Sequence, residues 1–207
     1  VDDHVLTITT SIGISLDHQD AVDPATLVKN ADSAMYHAKQ AGRDQYQFYS
    51  PELTTAALER VTLGSELRRA LEEDQLEVWY QPQWRLGNGS FFGAEALLRW
   101  RHPQRGLIPP GRFIPIAEEQ GLIGAIGEMV LETACAQMRA WLDQGLVLDN
   151  VAVNVSGQQI RKGDIVAIVR RVLQTNRLVP SQLELEITES SIMERTDRTM
   201  ALMDGLK

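Results

Sequence analysis

Three polar side chains break apolar runs in the later part of the chain: Glu95 follows Phe-Phe-Gly-Ala, Asn154 follows Val-Ala-Val, and Glu186 follows Leu-Glu-Leu. Two carboxylates and an amide are hard oxygen donors of the kind that hold Mg²⁺ or Mn²⁺. Clustered cysteines and histidines, the usual zinc ligands, are lacking. The three lie 59 and 32 residues apart, so only a fold that gathers strand ends can bring them together. An α/β barrel does this, because the carboxyl ends of its strands converge on one rim. A second reading stays open, in which Glu95 and Glu186 are buried ion pairs with arginines and Asn154 bonds the backbone.

Other residues offer weaker chemistry. His4, His18, His37 and His102 are scattered singly and read as surface residues. Cys135 falls within an amphipathic pattern and reads as packing. Trp79, Trp84 and Trp100 flank a hairpin; they could stack an aromatic base, although packing in a core or at a barrel bottom is the preferred reading. The run Glu72 to Asp74 is a solvated acidic face.

The elements that must position these groups can be read from periodicity. Val5 to Ile14 alternates apolar and small polar residues, as a strand does. Asp23 and Pro24 then open a helix on Leu27, Val28, Ala31, Met35 and Ala38 that Gly42 ends, and Gln45 to Tyr49 is a short strand. Residues 51–57 read as a link, after which Leu63, Leu67, Ala70 and Leu71 share a helix face. Leu76 to Leu86 and Ser90 to Trp100 are strands joined at Gly87-Asn88-Gly89, a hairpin turn. Helices follow around Phe113 to Glu119 and from Leu122 to Trp141, then a strand at 151–156, a helix through Ile165 and Val172, a strand at 183–188 and a helix over 196–207. This alternation implies parallel strands joined by crossover helices.

Composition bounds the rest. In 207 residues, 43% are hydrophobic and 23% charged, a globular balance. The net charge of -8 argues against nucleic acid as a partner, and no apolar run is long enough to span a membrane, so this segment is expected to make no direct membrane contact. One cysteine suits a reducing cytoplasm. Both ends of the sequence look cut.

Five ordered blocks carry a resemblance. Tyr80-Gln81-Pro82, then Glu95-Ala96-Leu97-Leu98-Arg99-Trp100, then Ile108 to Glu118, then Asn154-Val155-Ser156 and Glu186-Ile187-Thr188-Glu189 resemble the EAL domain family of cyclic di-GMP phosphodiesterases. Ser11 to Ile14 and Ala31 to Arg43 similarly resemble the C-terminal end of a GGDEF, or diguanylate cyclase, domain. The resemblance implies an α/β chain: a partial TIM-like (β/α) barrel with an antiparallel first hairpin, preceded by the tail of an α/β cyclase-like domain. Its expected divisions are 1–50 for the GGDEF end, 51–57 for the linker and 58–207 for the N-terminal half of the EAL domain.

Carried over by position, the family's roles make Glu95, Asn154 and Glu186 metal ligands for Mg²⁺ or Mn²⁺, with Arg99 on a phosphate and Gln81 lining the pocket. Glu95 and Glu189 form the catalytic set, Glu189 by holding a neighbouring loop in its working shape. The implied reaction is metal-assisted hydrolysis of cyclic di-GMP to linear pGpG. An Asp-Asp pair and a lysine that complete the family's site do not occur before Lys207. In the first segment Lys39 and Arg43, one helical turn apart, match the family's triphosphate contacts; they also suit a helix C-terminus as plain cations, and Asp44 stands where the family usually has asparagine. The expected parent is a cytoplasmic homodimer, membrane-anchored if upstream segments provide it. A non-catalytic cyclic di-GMP receptor is the alternative, and a structural scaffold the third.

Overall fold

The computed structural model describes residues 9–17, 19–21, 23–162 and 164–187. Two compact units divide the chain, Val1–Leu63 and Gly64–Lys207. The expected helix over 196–207 and Glu189 lie outside the described residues.

In the first unit, β1 (Ile12–Ile14) and β2 (Tyr46–Phe48) pair in parallel with α1 (Pro24–Gln40) between them. The strand anticipated from Val5 is formed, among the described residues, only over Ile12–Ile14. Asp23 caps α1 by accepting the amide of Thr26 at 2.9 Å, and Pro24 supplies the preset first turn. Gly13 lets the helix lie directly on β1: a Cβ there would run into the carbonyl of Ala31 and the backbone of Met35. Arg43 corrects an expectation. It stands beyond the helix, in left-handed backbone (φ 61°) after Gly42 (φ 115°), so Lys39 and Arg43 are not neighbours one turn apart on a helix face.

In the second unit, β3 (Leu76–Trp84) and β4 (Phe91–His102) form the anticipated antiparallel hairpin. A short β5 (Gly106–Ile108) returns along the far end of β4. Next come α3 (Pro110–Glu119), α4 (Ile123–Asp143), β6 (Asn150–Val155), α5 (Gly157–Lys162), α6 (Ile165–Asn176) and β7 (Leu183–Ile187). Strand order is β3-β4-β6-β7, with β4, β6 and β7 parallel. Among the described residues this is an arc of sheet and not a closed ring.

The link over residues 51–57 is itself helical. These residues are the opening turns of α2 (Pro51–Glu72). Pro51 at its start, Glu52 in the first turn and the helix formers Ala56, Ala57 and Leu58 give the segment reason to be helical.

One face of the arc is apolar and lies under the helices. Ala94, Ala96, Leu98 and Trp100 of β4 and Val151, Val153 and Val155 of β6 are buried there. Trp100 meets Phe113 of α3 edge to face at 5.6 Å, and Tyr80 meets Trp141 of α4 at 4.9 Å. Cys135 is buried on α4, as its pattern implied. His102, expected at the surface, is buried instead: Nδ1 accepts the amides of Gln104 and Arg105, and Nε2 lies 3.0 Å from Glu66. No helix among the described residues is long and apolar enough to cross a membrane.

Candidate functional site

Strand alternation sends every second residue to the other face of the arc. Register then fixes which of them meet. Gln81 of β3 is opposite Glu95 of β4, Glu95 is opposite Ala152 of β6, and Asn154, two residues on from Ala152, is opposite Glu186 of β7. The three oxygen-bearing residues singled out from sequence therefore share one face of three adjacent parallel strands. Asn154 Nδ2 donates to Glu95 Oε1 at 2.8 Å, which leaves the amide oxygen as a donor to a cation.

Asn154 and Glu186 are penultimate in their strands. Glu95 is the fifth of twelve residues in β4, near the middle of that longer strand. The strand runs on to His102 because β3 and β5 pair along its far portion. Against β6, however, Glu95 lies only one same-face step below Asn154.

The charges around Glu186 are negative. Burial pushes the carboxyl of Glu186 up from the usual range, and the negative charges of Glu95 and Glu184 push it further the same way. The alternative reading fits less well: the charges raising Glu186 are both negative, and Asn154 bonds the carboxylate of Glu95. Two converging carboxylates with an amide oxygen fit a hard divalent cation.

Arg99 continues the same face of β4, two steps beyond Glu95. Its Nη1 donates to the carbonyl of Leu98 at 2.8 Å, and its guanidinium lies over the ring of Trp79, 5.8 Å from the centroid. A cavity of about 740 Å³ opens beside Asn154 beyond Ala96 and Val153, the last paired residues of β4 and β6. Leu97, Pro110, Ile114, Ser156 and Arg161 are among its walls. Lys39 lies in the last turn of α1 and Arg43 beyond it, both in the first unit.

Sequence reasoning missed the device that holds the loop after Asn154. Ser156 Oγ accepts the amide of Gln159 at 3.3 Å, while Gln159 Oε1 accepts the amide of Ser156 at 3.0 Å, a reciprocal cap at the start of α5. Gly127 of α4 makes room for it, since a Cβ there would collide with the Gln159 amide. The Ser-x-x-Gln spacing was the available signal. The tryptophans divide: Trp100 is in the core as preferred, but Trp79 is 44% and Trp84 58% exposed.

Comparison with known proteins gives this geometry a lineage. The EAL domain model matches residues 65–207, and the model of the diguanylate cyclase, GGDEF domain matches residues 1–45. The bifunctional diguanylate cyclase/cyclic di-GMP phosphodiesterase MucR of Pseudomonas aeruginosa is 47% identical over 203 residues, covering 98% of this chain and 30% of MucR. Cyclic di-GMP phosphodiesterase NbdA of the same organism is 38% identical over 207 residues, covering all of this chain and 26% of NbdA. The chain thus spans less than a third of the length of these curated relatives. The structure of the MucR phosphodiesterase in complex with cyclic di-GMP superimposes with a TM-score of 0.67 at 49% identity, covering 70% of this chain and 59% of that one. The chain belongs to the EAL domain family, and the segment ahead of its EAL portion matches the GGDEF domain.

Proposed function

We propose that the full-length protein hydrolyses cyclic di-GMP to linear pGpG with the help of Mg²⁺ or Mn²⁺ held by Glu95, Asn154 and Glu186. The observation that carries this is the convergence of those three side chains on one face of β4, β6 and β7, with Asn154 bonded to Glu95 and the Glu186 carboxyl raised by its burial and by the negative charge of Glu95. When bound, the ion supplies Lewis-acid stabilisation of charge on a phosphodiester oxygen. The remaining work falls to the chain. Arg99 offers directed guanidinium donors to a phosphate, and Gln81, opposite Glu95, lines the floor beneath the ligand. Glu189, which lies outside the described residues, is the proposed loop-holding member of the catalytic set.

MucR and NbdA, both named as cyclic di-GMP phosphodiesterases, support the reading. A homodimer in the cytoplasm completes it; the location suits the single free cysteine. Lys39 and Arg43 remain proposed triphosphate contacts of the GGDEF-like segment.

Turnover of cyclic di-GMP by the full-length protein with Mg²⁺, repeated on Glu95→Ala, tests the proposal. Loss of pGpG formation in a folded variant is expected, and undiminished turnover contradicts it. Tight binding by the wild type without any turnover would instead establish the receptor.

A further inference from the structure

Trp79 has no part in the reading so far, yet it stands at the mouth of the site. Because β3 runs antiparallel to β4, stepping back from Gln81 climbs toward the end where the parallel strands finish. Two residues before Gln81, on the same face, is Trp79, opposite Leu97. Leu97 follows Glu95 by two residues as Asn154 follows Ala152, and Asn154 is opposite Glu186. Trp79, Leu97, Asn154 and Glu186 therefore make one row across four adjacent strands, a step above Gln81 and Glu95.

The indole is held by its edge. Nε1 donates to Glu77 Oε2 at 3.0 Å, and Glu77 is itself fixed by an ion pair with Arg101. Arg99 lies over the ring, which nonetheless is 44% exposed. An aromatic ring gripped at its edge, with a phosphate-binding guanidinium at one face and exposed surface remaining, is a platform for a planar base.

We infer that Trp79 stacks a guanine of the dinucleotide while the adjoining phosphate lies toward Arg99 and the Glu95, Asn154 and Glu186 trio. This rests on the proposed hydrolysis of cyclic di-GMP. The platform selects for an aromatic base attached to the phosphodiester, whereas the trio and Arg99 recognise only the phosphate.

Calorimetric titration of the full-length protein with cyclic di-GMP in EDTA, where metal-assisted turnover is suspended, tests the inference. Trp79→Ala is expected to weaken binding about tenfold or more and Trp79→Phe to stay close to wild type, because stacking on an aromatic ring is what is lost or kept. Equal affinity of Trp79→Ala and wild type overturns the platform and leaves the hydrolase reading standing. Absence of any binding by the wild type overturns the platform, while the hydrolase reading is decided separately by turnover with Mg²⁺. Should Trp79→Ala not fold, labelling with 5-fluorotryptophan decides: the fluorine resonance missing from Trp79→Phe shifts on adding cyclic di-GMP if the base stacks there, and an unmoved resonance overturns the inference.

Discussion

Glu186 concentrates the account into one side chain. Its carboxyl is raised by burial and by Glu95 and Glu184. A group whose folded-state value is raised stabilises the fold at low pH and gives that stability up as pH rises through the raised value. At pH 7 the charged carboxyl is thus a local source of instability, which the proposed cation would offset. Glu186→Gln is expected to raise the melting temperature of the full-length protein in EDTA at pH 7, with no gain at pH 4, and to remove the added stability that Mg²⁺ or Mn²⁺ gives the wild type. Cys135 provides a check in the alkaline range away from the site. Burial pushes its thiol up to about 11, so its contribution is intact at neutral pH and lost as pH rises from the ordinary thiol value toward 11. Denaturant unfolding should show the wild type losing about 2 to 3 kcal/mol more than Cys135→Ala between pH 8 and pH 11.

At the level of elements, the strands that bear the site follow from sequence because each alternates polar and apolar residues about a buried face. Leu-Glu-Leu-Glu over 183–186 already places Glu184 and Glu186 on one side. The pieces not legible were short ones. β5 has three residues and α5 six, too few for a period to emerge, and the link over 51–57 is helical because a proline suits the first turn of α2. α5 matters all the same, since its cap fixes the backbone directly after Asn154. Gly127→Ala forces the Gln159 amide out of its place and is expected to cost about 1 to 3 kcal/mol in urea unfolding. Gln159→Ala, which opens only the cap, should lose about 1 kcal/mol. A Gly127→Ala protein as stable as wild type would show that Gln159 has room elsewhere.

For the whole molecule, sequence spacing located the candidate ligands, but which residues would be level with one another depended on strand register. Register is set by pairing between strands tens of residues apart, and nothing local in the sequence states it. That is why Glu95, Asn154 and Glu186 could be named in advance while the row from Trp79 through Leu97 to Glu186 could not. The antiparallel β3 is the decisive feature: it carries residues from before Gln81 upward to the rim, so the hairpin contributes a wall of the mouth as well as its floor.

The central claim is that three side chains from three strands hold one divalent cation. Titrating the full-length protein with Mn²⁺ and following free Mn²⁺ by electron paramagnetic resonance tests it without reference to turnover. The account predicts saturable binding in the wild type that is lost or greatly weakened in Glu95→Ala, Asn154→Ala and Glu186→Ala, each still folded. Unchanged Mn²⁺ binding in all three variants would contradict it.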